Sequence, residues 1–417
     1  MKNVYVSGAA LTKFGKREQS LEELVYEAVR NLGNGTNREN GNKRENGNNR
    51  ENGNNRENGN IRENGNIREN GNNLEDTEEL EKIEAVFFGN MGGEKFIGIS
   101  NLSAWVADHL GLSGKPSVRI ETGSSSGAAV FQAGWRAVAS GQYQRVLVLG
   151  GEKMTHVPSL TATGILAEVI DPYEQNCGCT MTALAAMVTR KYMEVYGMTE
   201  EELALVSGKN HSNGSWNPYA HFQKPVPLEK VMNSRIIASP LRLYDCSPIS
   251  DGAAAMILTS KPTQVKVVGV GHGTDHVALQ FRDSLTSFRA TKLAAGQAYR
   301  MANIQPKDID VAEVHDAFTS FEIIDTEDLG FFEPGKGVDA LVNGTTQLDG
   351  DLPINPSGGL KSRGHPIGAS GLAQIVEIVW QLNGEAGKRQ VGGAKMGLTQ
   401  SIGGFASSNL VNILEAV

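Results

Sequence analysis

The chain has 417 residues, 39 Lys and Arg against 47 Asp and Glu, a formal net charge of −8 and three cysteines. Its length supplies a large core in two domains or one duplicated domain, and its acidic balance excludes a sequence-independent nucleic-acid binder, which needs a basic stripe to displace counterions from phosphates. So few cysteines exclude a disulfide scaffold, and no apolar run approaches the roughly 20 residues that cross a bilayer. The expectation is a cytoplasmic protein with no membrane segment, opening at Met1-Lys2-Asn3-Val4-Tyr5-Val6 as a strand instead of a signal peptide.

After that strand, Ser20 caps a helix from Leu21 to Leu32, with Glu23 placed for a capping box. The pentapeptide Arg-Glu-Asn-Gly-Asn then recurs at Arg38, Arg44, Arg50, Arg56, Arg62 and Arg68. The slot between copies holds Lys43, Asn49, Asn55, Ile61, Ile67 and Asn73, so no apolar register exists for a hexapeptide coil. The segment of about 33–75 reads as a low-complexity surface insertion. Ile83 to Phe88 reads as a strand, Asn101 to Leu110 as a helix and Ser117 to Glu121 as a strand. An Ala-rich helix over Ser126 to Ser140 and a buried strand over Arg145 to Gly150 follow. Residues 154–232 form a loop-rich excursion with two helices, and Ala253 to Thr259 is the strand that closes a first half, 1–260.

The second half, 261–417, repeats the order. A strand from Val265 to Val270 precedes a helix over Thr291 to Ala302, a strand over Val311 to Val314 and a helix over Phe318 to Asp328. Next comes the Gly-rich turn Asn355-Pro356-Ser357-Gly358-Gly359-Leu360-Lys361-Ser362-Arg363-Gly364-His365-Pro366-Ile367-Gly368, leading into an apolar helix through Leu382 and a final strand over Asn409 to Leu414. In each half a Gly/Ser-rich turn opens an apolar helix: Gly123-Ser124-Ser125-Ser126-Gly127 in one, Gly364-His365-Pro366-Ile367-Gly368 in the other. A helix mouth aims unpaired N–H groups and a positive dipole end at an oxyanion, and small residues let a ligand approach the backbone. Ser357, Gly358, Gly359 and Gly364 are therefore candidate substrate-binding positions. A pseudo-twofold axis between α/β halves would bring the two mouths together.

With both turns placed, the sequence resembles the thiolase superfamily, particularly the archaeal and sterol-carrier-type thiolases. The likeness is carried by Val6-Ser7-Gly8-Ala9-Ala10-Leu11-Thr12-Lys13-Phe14-Gly15, Gly150-Gly151-Glu152-Lys153-Met154-Thr155, Lys209-Asn210-His211-Ser212-Asn213-Gly214, Tyr244-Asp245-Cys246-Ser247-Pro248-Ile249-Ser250-Asp251-Gly252 and Glu313-Val314-His315-Asp316-Ala317-Phe318, besides the Gly-His-Pro turn. It implies a five-layer αβαβα fold of two similar α/β halves. It also implies a homodimer or homotetramer acting on acyl-coenzyme A by Claisen condensation or thiolytic cleavage, in the manner of an acetyl-CoA C-acetyltransferase. The thioester is a substrate, and no cofactor and no metal are implied. A hydroxymethylglutaryl-CoA synthase and a small zinc-containing OB-fold protein are the partners that archaeal relatives suggest.

The family's nucleophilic cysteine falls on Ser124, and its second acid/base cysteine falls on Ala317 or in the segment Ser401-Ile402-Gly403-Gly404, read as a loop. A hydroxyl stays protonated at neutral pH and depends on a partner base, and an acyl-serine is a poorer acyl donor than an acyl-cysteine. The expected catalytic set is Ser124, His315 and His365, with the backbone N–H groups of Ser124 and Gly403 as oxyanion hole. Cys177, Cys179 and Cys246 are read as packing or loop residues. Two other readings stay open: a non-condensing acyl-CoA or lipid carrier or scaffold subunit, and a carbon–carbon lyase working by acid/base groups alone. Ser124 has a plain alternative as an N-cap.

Overall fold

The computed structural model describes residues 1–33 and 78–417, and the Arg-Glu-Asn-Gly-Asn repeats read as a surface insertion lie outside them. The first half runs β1 (Val4–Leu11), α1 (Leu21–Gly33), α2 (Glu78–Glu81), β2 (Ala85–Gly89), α3 (Gly93–Phe96), α4 (Leu102–His109), β3 (Ser117–Ile120), α5 (Ser126–Ala139) and β4 (Arg145–Glu152). The excursion holds α6 (Ser159–Ala167), α7 (Pro172–Asn176), α8 (Met181–Tyr196), α9 (Glu200–Gly214), α10 (Leu228–Met232) and the short strands β5 (Ile236–Ala238) and β6 (Leu241–Arg242), before β7 (Gly252–Thr259). The second half runs β8 (Val265–Thr274), α11 (Arg289–Ala302), β9 (Val311–Glu313), α12 (Thr319–Asp328), α13 (Gly337–Val342), α14 (Gly359–Arg363), α15 (Ile367–Asn383), β10 (Met396–Gly403) and β11 (Ser408–Ala416).

Local sequence explains several of these elements directly. In α1, Leu21, Leu24, Val25, Ala28 and Val29 recur at helical spacing and are all buried, giving the helix one face for the sheet. Its capping box forms: Ser20 N donates to Glu23 Oε2 at 2.8 Å and Glu23 N donates to Ser20 Oγ at 3.4 Å. β7 is buried at every position, as a central strand covered on both faces must be. Two expectations are corrected. Ser401-Ile402-Gly403 is the end of strand β10, because this polar, glycine-containing run pairs with β11 along its whole length. The excursion carries five helices instead of two, since three of them are only five to nine residues long and lack a readable period.

Among the described residues, the nine main strands follow the order β3-β2-β4-β7-β1-β8-β11-β10-β9. Two equivalent sets lie end to end in that order. β2 lies parallel to β3 and β4, while β7 lies antiparallel to β4 and to β1; likewise β9 lies parallel to β10, and β11 antiparallel to β10 and β8. Even the outer strand β3 has a counterpart, a parallel bridge from Ala312 to Ile354. The sets join where β1 pairs with β8 through Val4–Val267, Tyr5–Lys266 and Val6–Val265. Helices α1 and α4 cover the first set from outside, α11 and α12 lie outside the second, and α5 and α15 pack between the two, giving the αβαβα layering. The largest apolar cluster sits there, joining Val130, Phe131 and Val138 of α5 to Leu372, Ile375 and Val376 of α15.

Candidate active site

The turn before α5 carries three serines with separate tasks. Ser126 Oγ accepts from Thr122 N at 3.0 Å and donates to Gly123 O at 2.6 Å, closing the turn on itself. Ser125 is the N-cap residue, and its hydroxyl meets Thr122 O at 2.8 Å and Ser408 O at 3.2 Å without capping the helix. Ser124 is partly exposed, and its hydroxyl has no hydrogen-bond partner among the described residues. Ser124 is therefore neither the N-cap residue nor a capping hydroxyl, and its side chain is available. Gly403 abuts the same turn: a Cβ there would lie 2.2 Å from Thr122 O and 2.3 Å from Ser125 Oγ.

The turn before α15 holds His365. Its N–H donates to Ser250 Oγ at 3.1 Å, and its Nδ1 lies 2.7 Å from Ser370 Oγ in the first turn of the helix. Glu152, fully buried at the end of β4, accepts from Gly368 N at 3.1 Å, from Met91 N at 3.0 Å and from Asn90 Nδ2 at 2.8 Å, so one carboxylate ties the α15 mouth to the Gly89–Gly93 loop. The α5 and α15 mouths adjoin: a Cβ on Gly127 would lie 3.0 Å from Gly368 O.

His315 follows β9 and is 1% exposed. Its N–H donates to Gln400 Oε1 at 3.0 Å, its Nδ1 has no partner, and its ring meets that of His365 edge-on with centroids 5.1 Å apart. Burial, His365 and the Arg363 guanidinium hold the His315 imidazole well below its ordinary range. Burial and Arg363 together push His365 down to about 3, although one edge of the residue reaches solvent. Both rings are consequently neutral at physiological pH and able to accept a proton. The structure thus brings the two histidines together and packs Gly403 against Thr122 and Ser125 of the Ser124 turn, while Ser124 Oγ makes no hydrogen bond to either imidazole.

The four glycine-turn residues are all buried, and their close neighbours are protein atoms. Ser357 donates through N and Oγ to Glu313 at 2.9 and 2.7 Å. Gly358, at φ 97°, packs on Gly214 of α9; Gly359, at φ 58°, packs on the Asp316 carboxylate, and Gly364, at φ 107°, on Ser250. The polar face of α9 secures this loop. Lys209 bonds Ile354 O at 2.7 Å, Asn213 bonds Asn355 O at 3.1 Å, and Asn210 bonds Asp316 and Glu322, each at 2.7 Å.

Sequence reasoning missed Arg363 and Glu313. Both side chains are fully buried and paired at 3.0 Å, Arg363 Nη1 also reaches Ser357 Oγ at 3.1 Å, and the Arg363 charge acts on both histidines. The signal was an arginine two residues before the Gly-His-Pro histidine, but its partner is 50 residues away in sequence. None of the three thiols belongs to the histidine pair. Cys177 is exposed, Cys179 is partly buried in the same loop, and Cys246 Sγ turns to Arg242 O at 3.6 Å with burial pushing its thiol up to about 11. Among the described residues no cluster of three His, Cys, Asp or Glu could hold a metal, and no helix is long and apolar enough to cross a membrane.

The thiolase N-terminal domain matches residues 74–262 and the thiolase C-terminal domain-like family matches 271–416. The chain is 48% identical over 343 residues to the acetyl-CoA acetyltransferase of Methanothermobacter thermautotrophicus, across 80% of this chain and 88% of that one. It belongs to the thiolase family. This thiolase is also 40% identical over 348 residues to the acetyl-CoA acetyltransferase of Methanocaldococcus jannaschii, with the same coverage. Among solved structures it shares its fold with an Ltp2-ChsH2(DUF35) aldolase, at 24% identity and a TM-score of 0.76 over 100% of this chain and 98% of that one. Human mitochondrial 3-ketoacyl-CoA thiolase superposes at 16% identity and a TM-score of 0.68 over 100% and 99%.

Proposed function

We propose that this thiolase is an acyl-CoA acyltransferase of the acetyl-CoA C-acetyltransferase type, with Ser124 as acyl acceptor, His365 as base and His315 orienting the acyl carbonyl. The observation that supports this reading is the unused Ser124 hydroxyl at the mouth of α5, which adjoins the α15 mouth where the His365 and His315 rings meet. Relatives at 48% and 40% identity named as acetyl-CoA acetyltransferases support the reaction class. In the first half-reaction Ser124 Oγ attacks the thioester carbon while His365 Nε2 takes the hydroxyl proton. The Ser124 and Gly403 N–H groups hold the oxyanion, and collapse of the intermediate expels the CoA sulfur, which receives the proton back from His365. In the second, His365 removes the α-proton of another acyl-CoA, the carbanion attacks the acyl-serine carbonyl, and the ester C–O bond breaks so that Ser124 Oγ leaves and takes that proton from His365. That step is the slow one, because an ester gives up its acyl group less readily than a thioester.

Mass spectrometry of the intact protein after incubation with acetyl-CoA tests the assignment. One acetyl group on Ser124, absent in S124A, is the expected result; CoA binding with no adduct would assign the chain to the carrier or scaffold reading. A lyase without an acyl-enzyme is favoured by a different observation, the lack of a thiol at the histidine pair. It predicts adduct-free cleavage of a β-hydroxyacyl-CoA. On the same footing we propose 1–260 and 261–417 as the two structural units, a cytoplasmic homodimer or homotetramer, and complexes with a hydroxymethylglutaryl-CoA synthase and a zinc OB-fold protein. The open edge strand β3, with Val118 exposed, supports association of copies.

A further inference from the structure

Whether His365 acts as a base depends on which ring nitrogen carries the hydrogen. A neutral imidazole has one N–H and one lone pair, and the partner of one nitrogen decides the state of the other. At His365 that partner is Ser370. Its hydroxyl, fully buried, lies 2.7 Å from His365 Nδ1 and donates to Pro366 O at 2.9 Å. A serine hydroxyl has a single hydrogen, and a carbonyl oxygen only accepts. With that hydrogen on Pro366 O, Ser370 Oγ faces Nδ1 with a lone pair, and Nδ1 must be the donor.

We propose that Ser370 is a positioning residue of this site: it accepts the Nδ1–H of His365, turns the ring to a fixed angle and leaves Nε2 as the proton acceptor. The local sequence builds the device. Ser370 stands four residues after Pro366, the spacing at which a serine in a helix bonds back to a carbonyl of the preceding turn. Pro366 also ends the extended turn and starts α15, so the ring, the hydroxyl and the carbonyl all belong to one rigid helix mouth. Solvent does not compete, because Ser370 is buried. His315 has no such partner at Nδ1, so the device acts on one ring of the pair and makes the two imidazoles unequal. If Ser370 instead gave its hydrogen to Nδ1, Nε2 would carry the proton and His365 could not receive one from a nucleophile.

The role of Nε2 rests on the acyltransferase reading, whereas the tautomer does not, and the experiment separates them. Full-length protein labelled with ¹⁵N-histidine, read by long-range ¹H–¹⁵N correlation near neutral pH and assigned with H365Q, reports the tautomer of His365 without substrate. The expected wild-type state has the hydrogen on Nδ1. In S370A the ring should become a mixture of tautomers, and S370T, which keeps a hydroxyl, should restore the wild-type pattern. Acetyl transfer should follow, with kcat falling at least about 10-fold in S370A, KM for acetyl-CoA nearly unchanged and S370T recovering most of the loss. A wild-type ring protonated on Nε2, or a tautomer unmoved by S370A, overturns the proposal, and the wild-type spectrum decides the first point even if S370A does not fold. A spectrum as expected together with no acyl-serine would leave the role of Ser370 standing and sink only the transferase reading.

Discussion

Gly127 of α5 and Gly371 of α15 meet at the crossing of the two central helices: a methyl on Gly127 would lie 2.6 Å from Leu372 N, and one on Gly371 would lie 2.6 Å from Ala128 N. Both obstacles are backbone, so the helices must part. Overpacking of this kind costs about 1–3 kcal/mol, and each of G127A and G371A should lose stability toward the upper end of that range in urea unfolding. The double variant should lose less than the sum, since helices separated by one methyl already accommodate the other.

The three serines of the α5 mouth should respond differently to alanine. S124A removes a hydroxyl with no partner and should leave the unfolding midpoint unchanged while abolishing acyl-serine formation. S126A breaks bonds to Thr122 and Gly123 and should cost about 1 kcal/mol with acylation reduced only in part. A large loss of stability in S124A would show that the hydroxyl is structural.

Arg363 and Glu313 form an ion pair with no exposure on either side chain. Removing one partner strands a buried charge, so R363M should cost about 3–5 kcal/mol. E313Q combined with R363M should cost less than R363M alone, because the stranded carboxylate is then gone. Urea melts of the two variants measure the difference.

His365 fixes the sign of one pH effect. Its folded value of about 3 lies below its ordinary 6.5, so over that interval the unfolded chain binds a proton that the folded chain refuses. The stability gained by keeping the ring neutral is whole above 6.5 and is lost as the pH falls toward 3. His211, pushed by burial to about 4, acts in the same direction. Glu152, raised by burial to about 7, acts in the opposite one: its contribution is whole below its ordinary 4.5 and is lost as the pH rises through 7. The drop in urea midpoint between about pH 7 and about pH 5 should therefore be smaller in H365Q than in the wild type.

The strand and helix order was legible because α1, α5 and α15 announce themselves by apolar spacing and by Ser, Gly or Pro at their starts. β10 was not, because buried side chains along it are polar for reasons remote in sequence. Gln400, for example, accepts from His315 N and donates to Asp325 Oδ1 at 2.9 Å. The histidines could be found from their turns, whereas Glu313 and Arg363 could not be paired, since no local period links β9 to α14. The glycines of the Gly-rich turn were legible as close approaches; that the approach is to α9 and Asp316 was not, because both partners are remote in sequence.

The seam between β1 and β8 bears on ancestry. Each half, taken alone, would end in a strand with unanswered hydrogen bonds and would turn the bare side of its central helix toward water. A forebear of half the length would have had to bind a twin through those same surfaces. In one continuous chain that encounter is built in, and each copy can carry its own chemistry without losing its place in the fold.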